Sequence, residues 1–173
     1  MQLKLAVAAI AVLSIVVAIS ARATTTRNEV QTQASSHTAT SIVGQPTVSV
    51  AATYLGSASS FTTSYDIPTA AAPGNKFVTY AIYCQNINAK DILMGHPSFL
   101  KLRDTEGNIY SYDLSTFNVK QQVSGKTLGG LIAQTNTQPG DTNSGIIVFQ
   151  IPQSATPKSL TYDDWTNRIT ITL

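Results

Sequence analysis

The side chains with the strongest chemical reactivity are rare in this sequence. The chain contains two histidines, His37 and His96, and a single cysteine, Cys84. Neither histidine has a partner at the spacing that metal sites use. His37 stands in a polar segment, and His96 stands in the stretch MGHPSF before an apolar run. We therefore expect a solvated His37 and a structural or solvated His96, with a ligand role for His96 as the alternative.

Cys84 and the hydroxyl residues give no sign of a nucleophilic site. Cys84 follows Ile82 in an apolar strand pattern, which predicts a buried, inert thiol. A reactive nucleophile or an intermolecular disulfide is the alternative, whereas one cysteine excludes an intramolecular disulfide. The sequence contains no G-x-S-x-G elbow and no plausible Ser/His/Asp set. We predict that the protein is not an enzyme and that it has no catalytic, cofactor-binding or metal-binding residues and no cofactor.

Two acidic stretches were considered as cation sites. DTEGN, at residues 104–108, resembles the start of a calcium loop but lacks the rest of the pattern and its closing glutamate. A hairpin turn is therefore predicted, with calcium binding as the alternative. Asp163 and Asp164 stand beside Trp165 and could help to chelate a cation or form part of a surface patch. Because adjacent side chains on a strand point to opposite faces, we do not expect the carboxylates of Asp163 and Asp164 to act together as a general acid and base.

Tyrosine is abundant and offers a possible binding surface. If several tyrosines line one exposed face, they form a partner-binding patch; otherwise they serve core or cross-strand packing, which we expect. The seven are Tyr54, Tyr65, Tyr80, Tyr83, Tyr110, Tyr112 and Tyr162.

The composition is typical of an exported β protein. Of the 173 residues, 43% are hydrophobic and 12% are charged, where soluble domains usually have about 25% charged residues. Ser and Thr supply the polarity instead. A net charge of +2 gives no basic surface for nucleic acid, so no nucleic-acid partner is predicted.

The first 23 residues predict the compartment. A lysine at position 4 precedes an apolar run, and Ala21-Arg22-Ala23 has the small-x-small pattern of a signal peptidase site. As a helix the run would span about 22–25 Å, less than the ~30 Å hydrocarbon core. Residues 1–23 are predicted to be a cleaved signal peptide. The alternative is a retained hydrophobic helix that contacts the membrane through residues 3–19 or assembles a pilin-like filament.

The remainder divides into a stalk and a β domain. Residues 24–45 are rich in Ser, Thr and Gln and are predicted to form a flexible or weakly helical stalk. Residues 46–173 contain short apolar runs separated by turn residues, a spacing typical of an all-β sandwich. We predict about seven or eight antiparallel strands in two layers. The runs are TVSVAATYL, KFVTYAIYCQN, SFLKLRD, NIYSYDL, LGGLIAQ, GIIVFQI, SLTYDD and RITITL.

The stretch PGDTNSGIIVFQIP, at residues 139–152, predicts a tightly bounded core strand. Pro139 and Gly140 suit a type II turn, and Gly145 permits a bulge or a close backbone approach. Alternation places Ile147, Phe149 and Ile151 on the core face, and Pro152 ends the ladder because it lacks an N–H. The stretch is interpreted as scaffold.

Several of these segments together resemble a known family. GNKFVTYAIYCQNINAKDI, FLKLRDTEGNIYSYD and QPGDTNSGIIVFQIPQSATPKSLTYDD, followed by ITITL, cover roughly residues 46–173. They resemble the secreted prokaryotic immunoglobulin-like domain of unknown function that is grouped with the mycobacterial immunoprotective extracellular protein. That family is often mislabelled after telomeric repeat-binding factor 2. The resemblance implies an immunoglobulin-like antiparallel β-sandwich, secreted or on the cell surface, with no established catalytic residues.

The functional prediction is a non-catalytic, exported, immunoglobulin-like domain of the cell envelope that binds or adheres to a protein or glycan partner. The alternative is a structural subunit of an extracellular pilin-like filament, assembled through the N-terminal hydrophobic helix or by strand exchange. The predicted localisation is extracellular or cell-surface, with membrane anchoring if the helix is retained.

Overall fold

A computed structural model describes residues 36–37, 40–41 and 47–173. The predicted signal peptide or hydrophobic helix, residues 1–23, lies outside the described residues. Among the residues that are described, no helix has the length and hydropathy needed to cross a bilayer.

The described part of the chain consists mostly of β-strands joined by turns and loops, with two short 3-10 helices at Pro97–Phe99 and Leu114–Asn118. Its fifteen strands are β1 (Ser36–His37), β2 (Thr40–Ser41), β3 (Val48–Ala58), β4 (Ser60–Thr62), β5 (Pro68–Ala70), β6 (Asn75–Asn86), β7 (Ile92–Met94), β8 (Leu100–Asp104), β9 (Ile109–Ser111), β10 (Lys120–Val123), β11 (Lys126–Gly129), β12 (Gln134–Thr137), β13 (Thr142–Pro152), β14 (Pro157–Asp163) and β15 (Arg168–Thr172).

Two antiparallel sheets form the body of the domain. The first has the strand order β1-β3-β6-β13, and the second has the order β2-β15-β14-β8-β9. Their facing side chains form one buried cluster that includes Val50, Ile82 and Phe149 from the first sheet and Leu102 and Leu160 from the second. The sheets therefore stack as a sandwich around a common core, which confirms the predicted all-β, antiparallel, two-layer architecture. The finer assignment of an immunoglobulin-like order stays a prediction.

The outer face of the first sheet carries a second apolar cluster. Phe77, Ala81, Ile146 and Val148 are buried there, and Phe61 packs against them. The cover includes residues of two small two-stranded ribbons, β4–β5 and β10–β11. Burial on both faces explains why residues 77–84 of β6 are apolar at every position except Thr79.

The stretch at residues 139–152 has the predicted structure. Gly140 has a φ of +89°, and β13 runs from Thr142 to Pro152. A Cβ on Gly145 would lie 2.5 Å from the Cα of Leu131, so the glycine permits a close approach of two backbone segments. Phe149 and its neighbours on the same face, Ile147 and Ile151, are fully buried between the sheets. Residues 139–152 therefore have a structural role in the core, as predicted.

Short strands outside the predicted apolar runs add to the two sheets. Two short parts of residues 24–45 are paired with the sandwich, because β1 pairs with β3 and β2 pairs with β15. The described residues also contain more strands than the seven or eight predicted. The additional strands are two to four residues long, too short for an alternating pattern to mark them in the sequence.

Candidate binding surface

His96 has a structural position. It precedes the 3-10 helix at Pro97–Phe99, and its Nδ1 accepts a hydrogen bond from the backbone N–H of Ser98 at 3.1 Å. Its ring also lies 5.5 Å from the ring of Phe99. The histidine therefore caps the helix, which confirms the predicted structural role. No group of three or more His, Cys, Asp or Glu suited to a metal ion occurs in the described residues.

Cys84 is buried in the core and carries a free thiol. Burial raises the pKa of the Cys84 thiol to about 12, and the negative charge of Asp164 acts in the same direction. Because the thiolate is the nucleophile, a pKa this high leaves the sulfur inert at neutral pH. The predicted burial of Cys84 is therefore confirmed.

The DTEGN segment is a hairpin turn between β8 and β9. Asp104 accepts hydrogen bonds at Oδ1 from the backbone N–H groups of Glu106, at 3.0 Å, and Asn108, at 2.8 Å. Its Oδ2 accepts from Asn108 Nδ2 at 2.9 Å and from Tyr110 Oη at 2.7 Å. Desolvation acts to raise the pKa of Asp104, but these hydrogen bonds outweigh it and hold the pKa at about 2. The carboxylate is occupied in holding the turn, as the hairpin interpretation predicted.

The tyrosines do not gather on one exposed face. Tyr80 and Tyr162 are buried in the core, where burial raises the pKa of both phenols. Tyr65 is the strongly exposed one. The remaining four are partly buried: Tyr54, Tyr83, Tyr110 and Tyr112. The expected packing role of most tyrosines is therefore confirmed. The tyrosines do not form a binding surface together.

Trp165 is the most exposed large hydrophobic residue among those described, with 88% of its surface open to solvent. It lies in the turn between β14 and β15 and has a φ of +69°. A left-handed conformation costs a non-glycine residue about 1–2 kcal/mol. Such strain persists only where surrounding contacts enforce it, and it is concentrated at functional sites.

Hydrogen bonds within the turn enforce this conformation. Asp163 Oδ1 accepts from the backbone N–H of Trp165 at 3.3 Å. Asp164 Oδ1 accepts from the backbone N–H groups of Thr166, at 3.1 Å, and Asn167, at 2.6 Å. Arg168 clamps the base of the turn, because its Nε and one terminal nitrogen donate to Asp163 Oδ2 at 2.8 and 2.6 Å. Asp163 and Asp164 are thus each engaged in hydrogen bonds that shape the hairpin turn.

The turn is also tied to the rest of the domain at two points. Asn167 is buried, and its Oδ1 accepts from the backbone N–H of Thr47 at 2.8 Å. The indole of Trp165 meets the ring of Phe99 edge-to-face, with centroids 5.2 Å apart. These contacts hold the indole in place while most of its surface stays free.

Shallow clefts lie on both sides of Trp165, and both also contact Phe99. The first, of about 280 Å³, is lined by polar and aliphatic residues: Thr47, Asn88, Ile92, Leu93, Asp164, Thr166 and Asn167. The second, of about 440 Å³, is more highly charged and is lined by Ser98, Lys101, Asp163 and Arg168. We call Trp165 with these two clefts the Trp165 surface.

The Trp165 surface is suited to recognition. A rigid tryptophan offers a large apolar area together with an N–H donor at little conformational cost, and tryptophan is enriched among the residues that dominate binding energy. The surrounding hydroxyl, amide and charged groups can fix the orientation of a ligand.

The turn of β14–β15 was only partly visible in the sequence. The sequence places Asp163 and Asp164 beside Trp165 as part of a possible patch, but it does not distinguish the tryptophan as the exposed centre. The available signal was a single tryptophan within the polar run DDWTN, between two apolar strands. Phe99 and Thr47, which complete the surface, are remote in sequence and could not be assigned to it.

Comparison with known proteins identifies the family. The chain matches the domain of unknown function DUF4352 over residues 16–168 and therefore belongs to that family. The predicted membership in a family of unknown function is thus confirmed. No match is found among curated proteins.

Two solved structures are similar to this chain. One is a conserved hypothetical protein from Bacillus anthracis, 12% identical, with a TM-score of 0.48 over 80% of this chain and 98% of that one. The other is MPT63, a secreted protein from Mycobacterium tuberculosis, 17% identical, with a TM-score of 0.38 over 71% of this chain and 82% of that one.

Proposed function

We propose that this protein is an exported, non-catalytic binding domain of the cell envelope and that the Trp165 surface contacts its partner. The observation that carries the proposal is the exposure of Trp165 in a strained turn. Hydrogen bonds of four neighbouring residues hold this turn in place: Asp163, Asp164, Asn167 and Arg168. An indole left in water forgoes the free energy of burial, about 25 cal/mol per Å² of apolar surface. That free energy is recovered when a partner covers the ring.

Export is supported by the sequence of residues 1–23, with its lysine, apolar run and small-x-small site. N-terminal sequencing of the protein recovered from cells and from culture medium tests this part. A start at Thr24 in soluble secreted material is expected. Intact residues 1–20 in a high-molecular-weight polymer would instead support the filament alternative and contradict a soluble binder.

The binding proposal is tested by co-sedimentation of the full chain with envelope fragments from the producing cells. Trp165→Ala is expected to weaken binding at least about tenfold, the size of effect that a central tryptophan has in an interface. Tyr65→Ala is the matched control, since Tyr65 is 71% exposed but lies in the β4–β5 loop. Equal binding by wild type and Trp165→Ala would refute the proposal.

The partner on the envelope is a protein or a glycan, and pretreatment of the fragments separates the two. Loss of binding after protease digestion identifies a protein. Loss after periodate oxidation, which cleaves vicinal diols, identifies a glycan.

A further inference from the structure

A third cleft lies beside Pro157 and Leu173, at the ends of β14 and β15 that are away from the Trp165 turn. It has a volume of about 230 Å³, somewhat below the roughly 300–1,000 Å³ of pockets that hold drug-sized ligands, so it suits a smaller molecule. Its walls come from both sheets: Tyr54, Ser57, Lys76, Val78 and Tyr80 from the first, and Pro157 with Leu173 on the side of the second. The cleft is separate from the Trp165 surface and shares no residue with it.

A bulge in β3 explains why the sheets leave space here. The register between β3 and β6 shifts between Tyr54 and Gly56. Because of this bulge, the side chains of β3 beyond Leu55 point to the opposite face from the one that simple alternation would give them. Tyr54 faces the second sheet before the bulge, and Ser57, paired with Val78, faces it afterwards. The position that would close the cleft is therefore filled by a small serine side chain.

The chemistry of the walls defines the ligand. Most of the lining is apolar or aromatic, and the rings of Tyr54 and Tyr80 lie 5.5 Å apart. Lys76 supplies the charged lining group, and no carboxylate side chain lies beside it in the wall. Its Nζ donates to the backbone carbonyl of Gln153 at 2.9 Å, and it forms no ion pair with the described residues. The cleft thus joins an apolar interior to an ammonium group that is not ion-paired within the described part of the chain.

We propose that this cleft binds a small amphipathic carboxylate, with the apolar tail between the sheets and the carboxylate against Lys76. The site is a ligand-binding function that does not depend on the Trp165 surface. Covering the partly exposed ring of Tyr54 with a hydrocarbon tail removes apolar surface from water, and the ion pair sets the orientation of the ligand.

Isothermal titration of the full chain with decanoate, kept below its micelle-forming concentration, tests the proposal. We expect one site per chain and a dissociation constant of about 1 mM or below, given the modest free energy per atom of small ligands. The uncharged amide of decanoic acid is expected to bind about three- to fivefold more weakly, because it lacks the ion pair with Lys76. Lys76→Gln should weaken decanoate binding by the same factor.

Ser57→Leu should fill the cleft and weaken decanoate binding at least about tenfold. Ser57 is exposed at the cleft mouth, so the variant should fold, and a thermal unfolding curve checks this. Ser49→Leu is the matched control, because Ser49 is exposed on the same strand but outside the cleft. Absence of saturable decanoate binding, unchanged binding by Ser57→Leu, or equal affinity for acid and amide would overturn the proposal.

Discussion

Phe99 lies edge-on to Trp165, with ring centroids 5.2 Å apart and ring planes at 78°. Phe99 is only 5% exposed and also contacts Tyr162 in the core at 5.8 Å. A continuous series of aromatic contacts therefore runs from the buried interior to the exposed indole. The position of the indole depends on the folded core and not only on its own loop.

The strain at Trp165 predicts an unusual order of stability among variants. Trp165→Ala keeps the left-handed backbone conformation and loses the contact with Phe99. Trp165→Gly loses the same contact but adopts positive φ without steric cost. We expect Trp165→Gly to be more stable than Trp165→Ala by about 1 kcal/mol in urea unfolding. An alanine variant as stable as the glycine variant would contradict the strain assigned to this turn.

Phe149 is predicted to be a principal contributor to stability. Its side chain is fully buried between the two sheets and contacts the ring of Tyr80 at a centroid distance of 6.4 Å. Phe149→Ala removes that burial and leaves a cavity, so the free energy of unfolding should fall by about 3–5 kcal/mol. Denaturant unfolding measures it, and a loss below about 1 kcal/mol would show that the core is not packed around this residue.

Gly145 should not tolerate a methyl group. Its added Cβ would overlap the backbone of Leu131, which cannot move as a flexible side chain can. Gly145→Ala is expected to lower the free energy of unfolding by about 1–3 kcal/mol. Gly129→Ala is the control, because no atom lies within 4 Å of the added Cβ there. Equal stability of the two variants would contradict the close approach.

The Asp104 turn predicts a specific pH dependence. The pKa of Asp104 is lowered to about 2 in the folded protein, against about 3.9 in an unfolded chain. The unfolded state therefore binds the proton more readily, and the stabilisation is present above about pH 4 and lost as pH falls towards 2. Asp104→Asn should be less stable than wild type at pH 7, and urea unfolding should show this difference shrinking between about pH 4 and pH 2. A difference that does not change with pH would contradict the role of the ionised carboxylate.

The parts of the fold that the sequence predicted are those governed by alternation and turn chemistry. Ile169 and Ile171 are buried while Thr172 is exposed, because successive side chains on β15 point to opposite faces. Strand β6 carries apolar residues at positions that point to either face, a pattern that indicates a strand covered on both sides. These signals are local and depend on neighbouring residues alone.

The parts that the sequence did not reveal depend on distant contacts or on weak patterns. The ribbon of β10 and β11 consists largely of exposed polar positions, so it has no clear alternation to mark it. Asn167 binds Thr47, 120 positions away in the chain, and this contact fixes one end of the Trp165 turn. A lone tryptophan between apolar strands gives no sign by itself of whether it is buried or exposed. The site therefore emerges only from the folded arrangement.

The fluorescence of Trp165 offers the most direct measurement of the central claim, because Trp165 is the only tryptophan in the chain. The full chain is titrated with solubilised envelope material while emission and acrylamide quenching are recorded. We predict emission typical of a water-exposed indole in the free protein, followed by a saturable blue shift and protection from acrylamide as the partner covers the ring. Binding that saturates, as measured by co-sedimentation, while emission and quenching stay unchanged would show that the partner does not contact Trp165.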